Sequence, residues 1–212
     1  MQNEKNVFAM EFDRGRTMKI LCFGDSNTYG YDPRSYFGSQ YPAEHRWVDL
    51  LAGKLGCTAV NEGENGREIP RWDGELLLFD RMLDHQKPLD LLVIMLGGND
   101  LLQGNSVDVV VRRMERFLEH IDLERSKILL IGPAPMQRGE WVPTQALVDA
   151  SKELNRKYKT ITDRMGIGFT DAGAWSIPMT FDGVHFTEEG HRAFAEGLAG
   201  YLNKSGSVLG NR

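Results

Sequence analysis

The sequence predicts a single α/β domain in which a five-stranded parallel sheet lies between two layers of helices. Five short runs with strand character alternate with stretches of helical periodicity along the chain. The third run, Leu91–Leu96, is apolar at every position, as expected for a strand that is buried on both faces. The 212 residues contain no internal repeat, low-complexity tract or linker, and 41% of them are hydrophobic, which is enough for one core.

The predicted elements follow one another in regular order. Strands are predicted at Lys19–Phe23, Thr58–Val60, Leu91–Leu96, Lys127–Ile131 and Ile167–Thr170. Helices are predicted at about 46–55, 74–85, 106–120, 144–165 and 187–202. Ser106 and Thr187 are predicted N-caps, because acidic residues follow each of them in the first helical turn.

Composition excludes several classes of protein. The net charge is -5, from 30 acidic and 25 basic residues, and no basic block is present, so nucleic acid is not an expected partner. The longest apolar run is too short for a membrane span, and the first twenty residues lack the apolar core of a secretory signal, so we expect a soluble, cytoplasmic protein. Cys22 and Cys57 form no metal-binding or disulfide pattern, and we expect neither a metal nor a cofactor.

The domain is predicted to occupy residues 18–212. Residues 1–17 are polar and lack a clear period, so they are expected to form either a flexible N-terminal arm or a segment upstream of the true start. The stretch Tyr29–Glu44 is the long irregular segment near the front of the domain. Because long loops in compact domains are often functional, it is a candidate rim for a pocket.

Residues that could take part in catalysis follow three of the predicted strands and precede the last predicted helix, and the parallel topology would bring them to the sheet edge where ligands bind. They are Ser26 in Gly24–Gly30, Gly66 in Asn61–Arg67, Asn99 in Gly97–Asp100, and the pair Asp182 and His185. Each motif alone has an ordinary structural interpretation: a capping serine, a turn, a buried amide, or a simple carboxylate–imidazole hydrogen bond. Together they supply a nucleophile, oxyanion donors and an oriented base, which are the groups that acyl transfer requires.

These residues also resemble the motifs of a known family, the SGNH hydrolases. Ile20–Ser26 resembles its first block, Asn65–Gly66 its second, Leu96–Asp100 its third, and Asp182–Thr187 its last, and the match runs from about Met18 to Leu202. The resemblance implies a flavodoxin-like three-layer α/β/α sandwich. The sequence is most similar to the arylesterase and acyltransferase branch, some members of which are oligomers, so a homo-oligomer is compatible with it.

The resemblance also implies roles for individual residues. Ser26 would be the nucleophile, His185 its base, and Asp182 the residue that orients His185. The backbone N–H groups of Ser26 and Gly66 and the side chain of Asn99 would form the oxyanion hole.

The remaining candidates are weighed on their local context. Asp25 and Asp100 are interpreted as carboxylates that fix turns by accepting backbone hydrogen bonds. Trp72, Met136 and Trp141 lie in or beside predicted loops, where they either line a substrate pocket or pack beneath the loops.

The function we expect is metal-independent hydrolysis of a small-molecule carboxylic ester, with an acetyl or other short acyl group, through an acyl-enzyme. Two alternatives stay open at this point. One is a lysophospholipase or thioesterase with a longer acyl site, and the other is a flavodoxin-like module that binds phosphate without turnover. The sequence does not specify the acyl group, the alcohol, or whether water is the preferred acceptor.

Overall fold

The chain forms one five-stranded parallel sheet, which confirms the predicted fold class. The computed structural model describes residues 17–35, 37 and 39–207. The strands are β1 (Lys19–Gly24), β2 (Thr58–Gly63), β3 (Leu91–Met95), β4 (Ile128–Gly132) and β5 (Gly168–Asp171). Their order is β2-β1-β3-β4-β5, and every neighbouring pair is parallel. The predicted arm lies almost wholly in residues 1–16, outside the described residues.

Seven α-helices connect or follow the strands in the described part of the chain. They are α1 (Ser26–Tyr29), α2 (Trp47–Leu55), α3 (Asp73–Gln86), α4 (Gly98–Leu102), α5 (Val107–His120), α6 (Gln145–Met165) and α7 (Glu188–Ser207). None of the helices in these described ranges is long and apolar enough to cross a membrane.

The core is divided into two parts because successive side chains of a strand point to opposite faces of the sheet. In β1, Leu21 and Phe23 pack with α3, α5 and α6, whereas Ile20 and Cys22 pack with α2 and α7. Both faces are therefore buried, and Trp47 lies fully buried at the start of α2, as its helical spacing predicts.

The predicted and observed ends of the strands differ by up to three residues. β2 extends three residues beyond its predicted end, into polar residues that apolar patterning does not detect. Lys127 belongs to a 3-10 turn rather than to β4. Thr187 accepts a hydrogen bond from the Gly190 N–H at 3.0 Å, whereas Ser106 precedes α5 without a side-chain capping bond.

Candidate active site

The loops that carry the candidate residues meet at the carboxyl edge of the sheet. The chain leaves β1 towards β2 on one side and then crosses to β3 on the other, so the connections diverge between β1 and β3. Such a switch point opens a crevice in which parallel sheets bind ligands. Ser26 follows β1 and Asn99 follows β3, so the two residues lie on the two sides of this crevice.

Ser26 is the first residue of α1, a single helical turn that starts directly after β1. The side chain of Asp25 caps this turn by accepting a hydrogen bond from the Asn27 N–H at 3.0 Å. Asp25 therefore has the turn-fixing role predicted for it. The cap holds Ser26 at the end of the strand, where its side chain is 6% exposed.

The Ser26 hydroxyl, the His185 imidazole and the Asp182 carboxylate form a continuous line of hydrogen bonds. Ser26 Oγ lies 3.0 Å from His185 Nε2, and His185 Nδ1 lies 2.7 Å from Asp182 Oδ2. All three side chains are buried. An imidazole held in this way can accept the hydroxyl proton, while the carboxylate fixes its tautomer and stabilises its charged form.

Asp182 is held by its own turn as well as by the imidazole. Its Oδ1 accepts hydrogen bonds from the backbone N–H groups of Val184, at 2.8 Å, and His185, at 2.9 Å. Burial raises the pKa of Asp182, but the hydrogen bonds from His185 and from these backbone groups outweigh it and lower the pKa to about 2. The carboxylate is therefore ionised at neutral pH.

The turn that bears Asp182 and His185 is fixed by close backbone packing against residues 137–142. Gly183 has a φ of 81°, and a Cβ there would lie 2.1 Å from the Gln137 carbonyl oxygen. The Gln137 N–H donates to the Gly183 carbonyl at 2.9 Å, and the Trp141 N–H donates to the Asp182 carbonyl at 3.0 Å. This position needs glycine for both its conformation and its lack of a side chain.

Asn27 joins the nucleophile turn to the histidine turn, and sequence reasoning missed it. Its side-chain amide donates to the Val184 carbonyl at 3.0 Å and accepts from the Phe186 N–H at 2.9 Å. The two bonds bracket His185 on the backbone. Asn27 thus helps to set the distance between Ser26 and the imidazole. The one sequence signal for this role was that Asn27 is adjacent to Ser26.

Two of the predicted oxyanion donors come from different sides of the crevice, Asn99 from the turn after β3 and Gly66 from the loop after β2. Asn99 Nδ2 donates a hydrogen bond to the Arg67 carbonyl at 3.0 Å, which orients the amide and leaves its second hydrogen for another acceptor. Gly66 has a φ of 75°, a conformation that favours glycine, and no atom lies within 4 Å of the position its Cβ would take. The backbone around Gly66 is therefore open to a ligand.

Arg67 and Asp100 hold this loop in place. The Arg67 guanidinium lies 4.2 Å from the centre of the Phe23 ring and donates to the Gly24 carbonyl at 2.9 Å. Asp100, which is fully buried, accepts from the Ile69 N–H at 3.0 Å and from Arg113 at 2.8 Å. Asn99 and Asp100, adjacent residues of α4, thus hold the loop at Arg67 and at Ile69. The ion pair between Asp100 and Arg113 had no signal in the local sequence.

The comparisons with known proteins identify the family of this chain. A model of the GDSL-like lipase/acylhydrolase family matches residues 22–193, which is most of the chain. This chain belongs to that family. It is an esterase of the GDSL, or SGNH, type. Among proteins with curated functions, none matches the sequence.

Several solved structures resemble the esterase over nearly its whole length. Est24, a carbohydrate acetylesterase from Sinorhizobium meliloti, is 25% identical with a TM-score of 0.76, covering 89% of this chain and 99% of Est24. An aryl esterase from M. smegmatis has the same identity, TM-score and coverage. A lipolytic G-D-S-L protein from Veillonella parvula is 21% identical with a TM-score of 0.71, covering 89% of this chain and 100% of that one, and shows the shared fold.

Two aromatic rings flank the imidazole of the esterase. The Tyr31 ring centre lies 4.7 Å from that of His185, and the Trp141 ring meets His185 edge-on at 5.0 Å. Trp141 is 49% exposed, so part of its ring is free to contact a ligand. Tyr31 belongs to the segment predicted to form a pocket rim, but sequence reasoning did not single it out.

Met136 and Trp72 take different positions. Met136 is buried, and its terminal methyl lies 3.7 Å from the position of a Cβ on Gly98, next to Asn99. Trp72 is 63% exposed at the start of α3, where it contacts Arg71 and lines a cavity that does not include Ser26, His185 or Asn99. The structure therefore places Trp141 beside the imidazole, buries Met136 in the core next to Gly98, and leaves Trp72 apart from the crevice.

Proposed function

We propose that the esterase hydrolyses small carboxylic esters of acetyl or other short acyl groups through an acyl-enzyme on Ser26. The observation that carries this proposal is the hydrogen-bonded line from Ser26 Oγ through His185 to Asp182, with distances of 3.0 Å and 2.7 Å. Asn99, after β3, and Gly66, in the loop after β2, add donors for a developing oxyanion.

In the acylation step, Ser26 Oγ attacks the ester carbonyl carbon while its proton passes to His185 Nε2. Asp182 stabilises the resulting imidazolium. The carbonyl oxygen becomes an oxyanion that accepts hydrogen bonds from the Ser26 and Gly66 backbone N–H groups and from Asn99 Nδ2. When the intermediate collapses, the carbonyl–alkoxy bond breaks, and the alcohol leaves with the proton from His185.

In the deacylation step, water takes the place of the alcohol. His185 accepts a proton from this water as its oxygen attacks the acyl carbon. The second tetrahedral intermediate uses the same oxyanion donors. It collapses to a carboxylic acid, and the proton returns to Ser26 Oγ, which regenerates the enzyme.

The preference for a small ester rests on two observations. The carbohydrate acetylesterase and the aryl esterase each align with 89% of this chain, and their names point to acetyl or aryl esters. In addition, the Tyr31 and Trp141 rings lie within 4.7 Å and 5.0 Å of the His185 ring, the group that protonates the leaving alcohol. Aromatic faces beside a reacting group suit a flat or ring-shaped alcohol.

Substitution of the nucleophile tests the mechanism. Ser26→Ala should abolish hydrolysis of a chromogenic acetate ester and abolish stoichiometric labelling by an organophosphonate, while the fold persists. Ser126→Ala is the matched control, because Ser126 is exposed in the 3-10 turn before β4, at the amino edge of the sheet. Wild-type turnover in Ser26→Ala would exclude the proposed mechanism.

A series of acyl chain lengths tests the substrate class. With one alcohol throughout, kcat/KM should be highest for acetyl and fall towards palmitoyl. The opposite trend, with the palmitoyl ester or thioester preferred, would replace the proposal with a lysophospholipase or thioesterase. A parallel series of acetylated sugars, aryl acetates and alkyl acetates then identifies the alcohol.

A further inference from the structure

A cavity separate from the crevice lies between α3 and α5, at the end of the loop that connects β2 to α3. Its volume is about 460 Å³, within the usual range for small-molecule sites. Arg71, Arg113, Arg116, Trp72, Leu76 and Phe117 form most of its wall. None of the residues that line it belongs to the Ser26, His185, Asp182 and Asn99 set, so this cavity is not part of the active site.

The charge of the cavity is opposite to that of the protein. The chain has a net charge of -5, yet three arginines and no acidic residue line this wall. Two of the three arginines have acidic partners that do not line the cavity: Arg71 pairs with Glu68, and Arg113 pairs with Asp100. Within the described part of the chain, Arg116 forms no hydrogen bond or ion pair. Glu75 lies nearby as well, but its carboxylate accepts hydrogen bonds from the backbone N–H groups of Arg71 and Trp72. Arg116 is therefore the cation of this wall that stays available to the carboxylate of a monoanion.

The remaining wall is apolar and partly aromatic. Phe117 is buried at the bottom, and Trp72 is 63% exposed at the rim, a large exposure for an indole side chain. The Arg71 guanidinium lies 5.5 Å from the centre of the Trp72 ring, so cationic and aromatic surfaces adjoin. A ligand with both an anionic head and an apolar body would contact both kinds of surface at once.

We propose that this cavity binds carboxylate monoanions with an apolar or aromatic body. Arginine suits this role because its planar guanidinium can donate two parallel hydrogen bonds to a carboxylate. Arg116 provides the unpaired cation, and Trp72, Leu76 and Phe117 provide the surface for the body. The proposal also gives Trp72 a role outside the crevice. It does not depend on the esterase mechanism, since no lining residue takes part in that chemistry.

Indole NMR signals of the full chain can test this binding with sodium benzoate as the probe. The chain has four tryptophans, and a Trp72→Phe variant identifies the Trp72 signal. Benzoate should shift the Trp72 signal saturably. Benzyl alcohol, which has the same ring without the charge, and inorganic phosphate, which has charge without the ring, should each bind at least about tenfold more weakly at equal ionic strength. Hydrolysis of the chromogenic acetate ester is measured separately, so failure of this proposal is distinguishable from failure of the proposed function.

Two arginines on one helix provide the matched variants. Arg116→Gln should weaken benzoate binding about tenfold, the loss of one charge-assisted hydrogen bond. Arg112→Gln makes the same charge change on an exposed residue of α5 that does not line the cavity, and should leave the affinity unchanged. No shift at Trp72, equal binding of benzyl alcohol or phosphate, or equal weakening by the two variants would each overturn the proposal.

Discussion

The side-chain amide of Asn99 donates a hydrogen bond to the backbone carbonyl of Arg67 at 3.0 Å. The bond crosses the crevice from the β3 side to the loop after β2 and links the two predicted oxyanion donors, Asn99 and Gly66. Because one amide hydrogen is used, the direction of the other is set before a substrate arrives. A donor oriented in advance stabilises a developing oxyanion without reorganisation during the reaction.

Asn99→Ala should lower kcat for a chromogenic acetate ester by about a hundredfold to a thousandfold, with a small effect on KM. The reason is that the lost donor acts on the transition state more than on the bound ester. Steady-state kinetics measure both constants, and circular dichroism checks the fold. A rise in KM with unchanged kcat would contradict the oxyanion role and indicate a binding role instead.

Asp182→Asn should lower kcat by about three to four orders of magnitude, because an amide favours the wrong tautomer of His185 and does not stabilise the imidazolium. Asp171→Asn is a suitable control. Asp171 also caps a turn after β5, by accepting from the Gly173 N–H at 2.8 Å, but it has no histidine partner in the described structure. Similar losses in the two variants would show that turn integrity, rather than the imidazole partner, accounts for the effect.

Asp100→Ala should reduce the free energy of unfolding by about 3 to 5 kcal/mol, because it leaves the Arg113 charge without its buried partner. The double variant Asp100→Leu with Arg113→Met removes both charges and should recover much of the loss. Chemical denaturation measures Asp100→Ala, the double variant, and its two single substitutions, Asp100→Leu and Arg113→Met. If the double variant is as unstable as the sum of the single variants, the pair does not interact as the 2.8 Å contact indicates.

Asp25→Asn should stabilise the folded protein at neutral pH. Burial raises the pKa of Asp25 from 3.8 to about 6, against the lowering effects of the Asn27 N–H, His185 and Arg67. The folded state therefore binds the proton more tightly than the unfolded state, and stability falls as pH rises between 3.8 and about 6. The amide removes this loss, which is on the order of 3 kcal/mol above that range.

Denaturation at pH 4 and pH 7.5 measures the Asp25→Asn effect. The gain should be present at the higher pH and largely absent at the lower one, where wild-type Asp25 is protonated. An equal gain at both pH values would show that the effect has another origin.

Local patterns were sufficient to predict the five strands, the five long helices and a parallel sheet that is covered on both faces. Apolar runs and helical periodicity depend on neighbours along the chain, so β1 and β3 and the five long helices were predicted with boundaries close to those observed. The short turns α1 and α4 were missed, because four or five residues do not produce a readable period. The polar end of β2 was missed because that strand lies at the edge of the sheet.

The sequence by itself determined which residues could react, since Ser26, Gly66, Asn99, Asp182 and His185 follow strands whose ends must meet in a parallel sheet. Their catalytic roles remain a proposal, but their proximity follows from topology. Tertiary structure alone decided how they are held: Asn27 against the histidine turn, Asp100 against Arg113 of α5, and Tyr31 and Trp141 against the imidazole. These contacts join segments distant in sequence, and no local period or spacing encodes the direction of a side chain across such a gap.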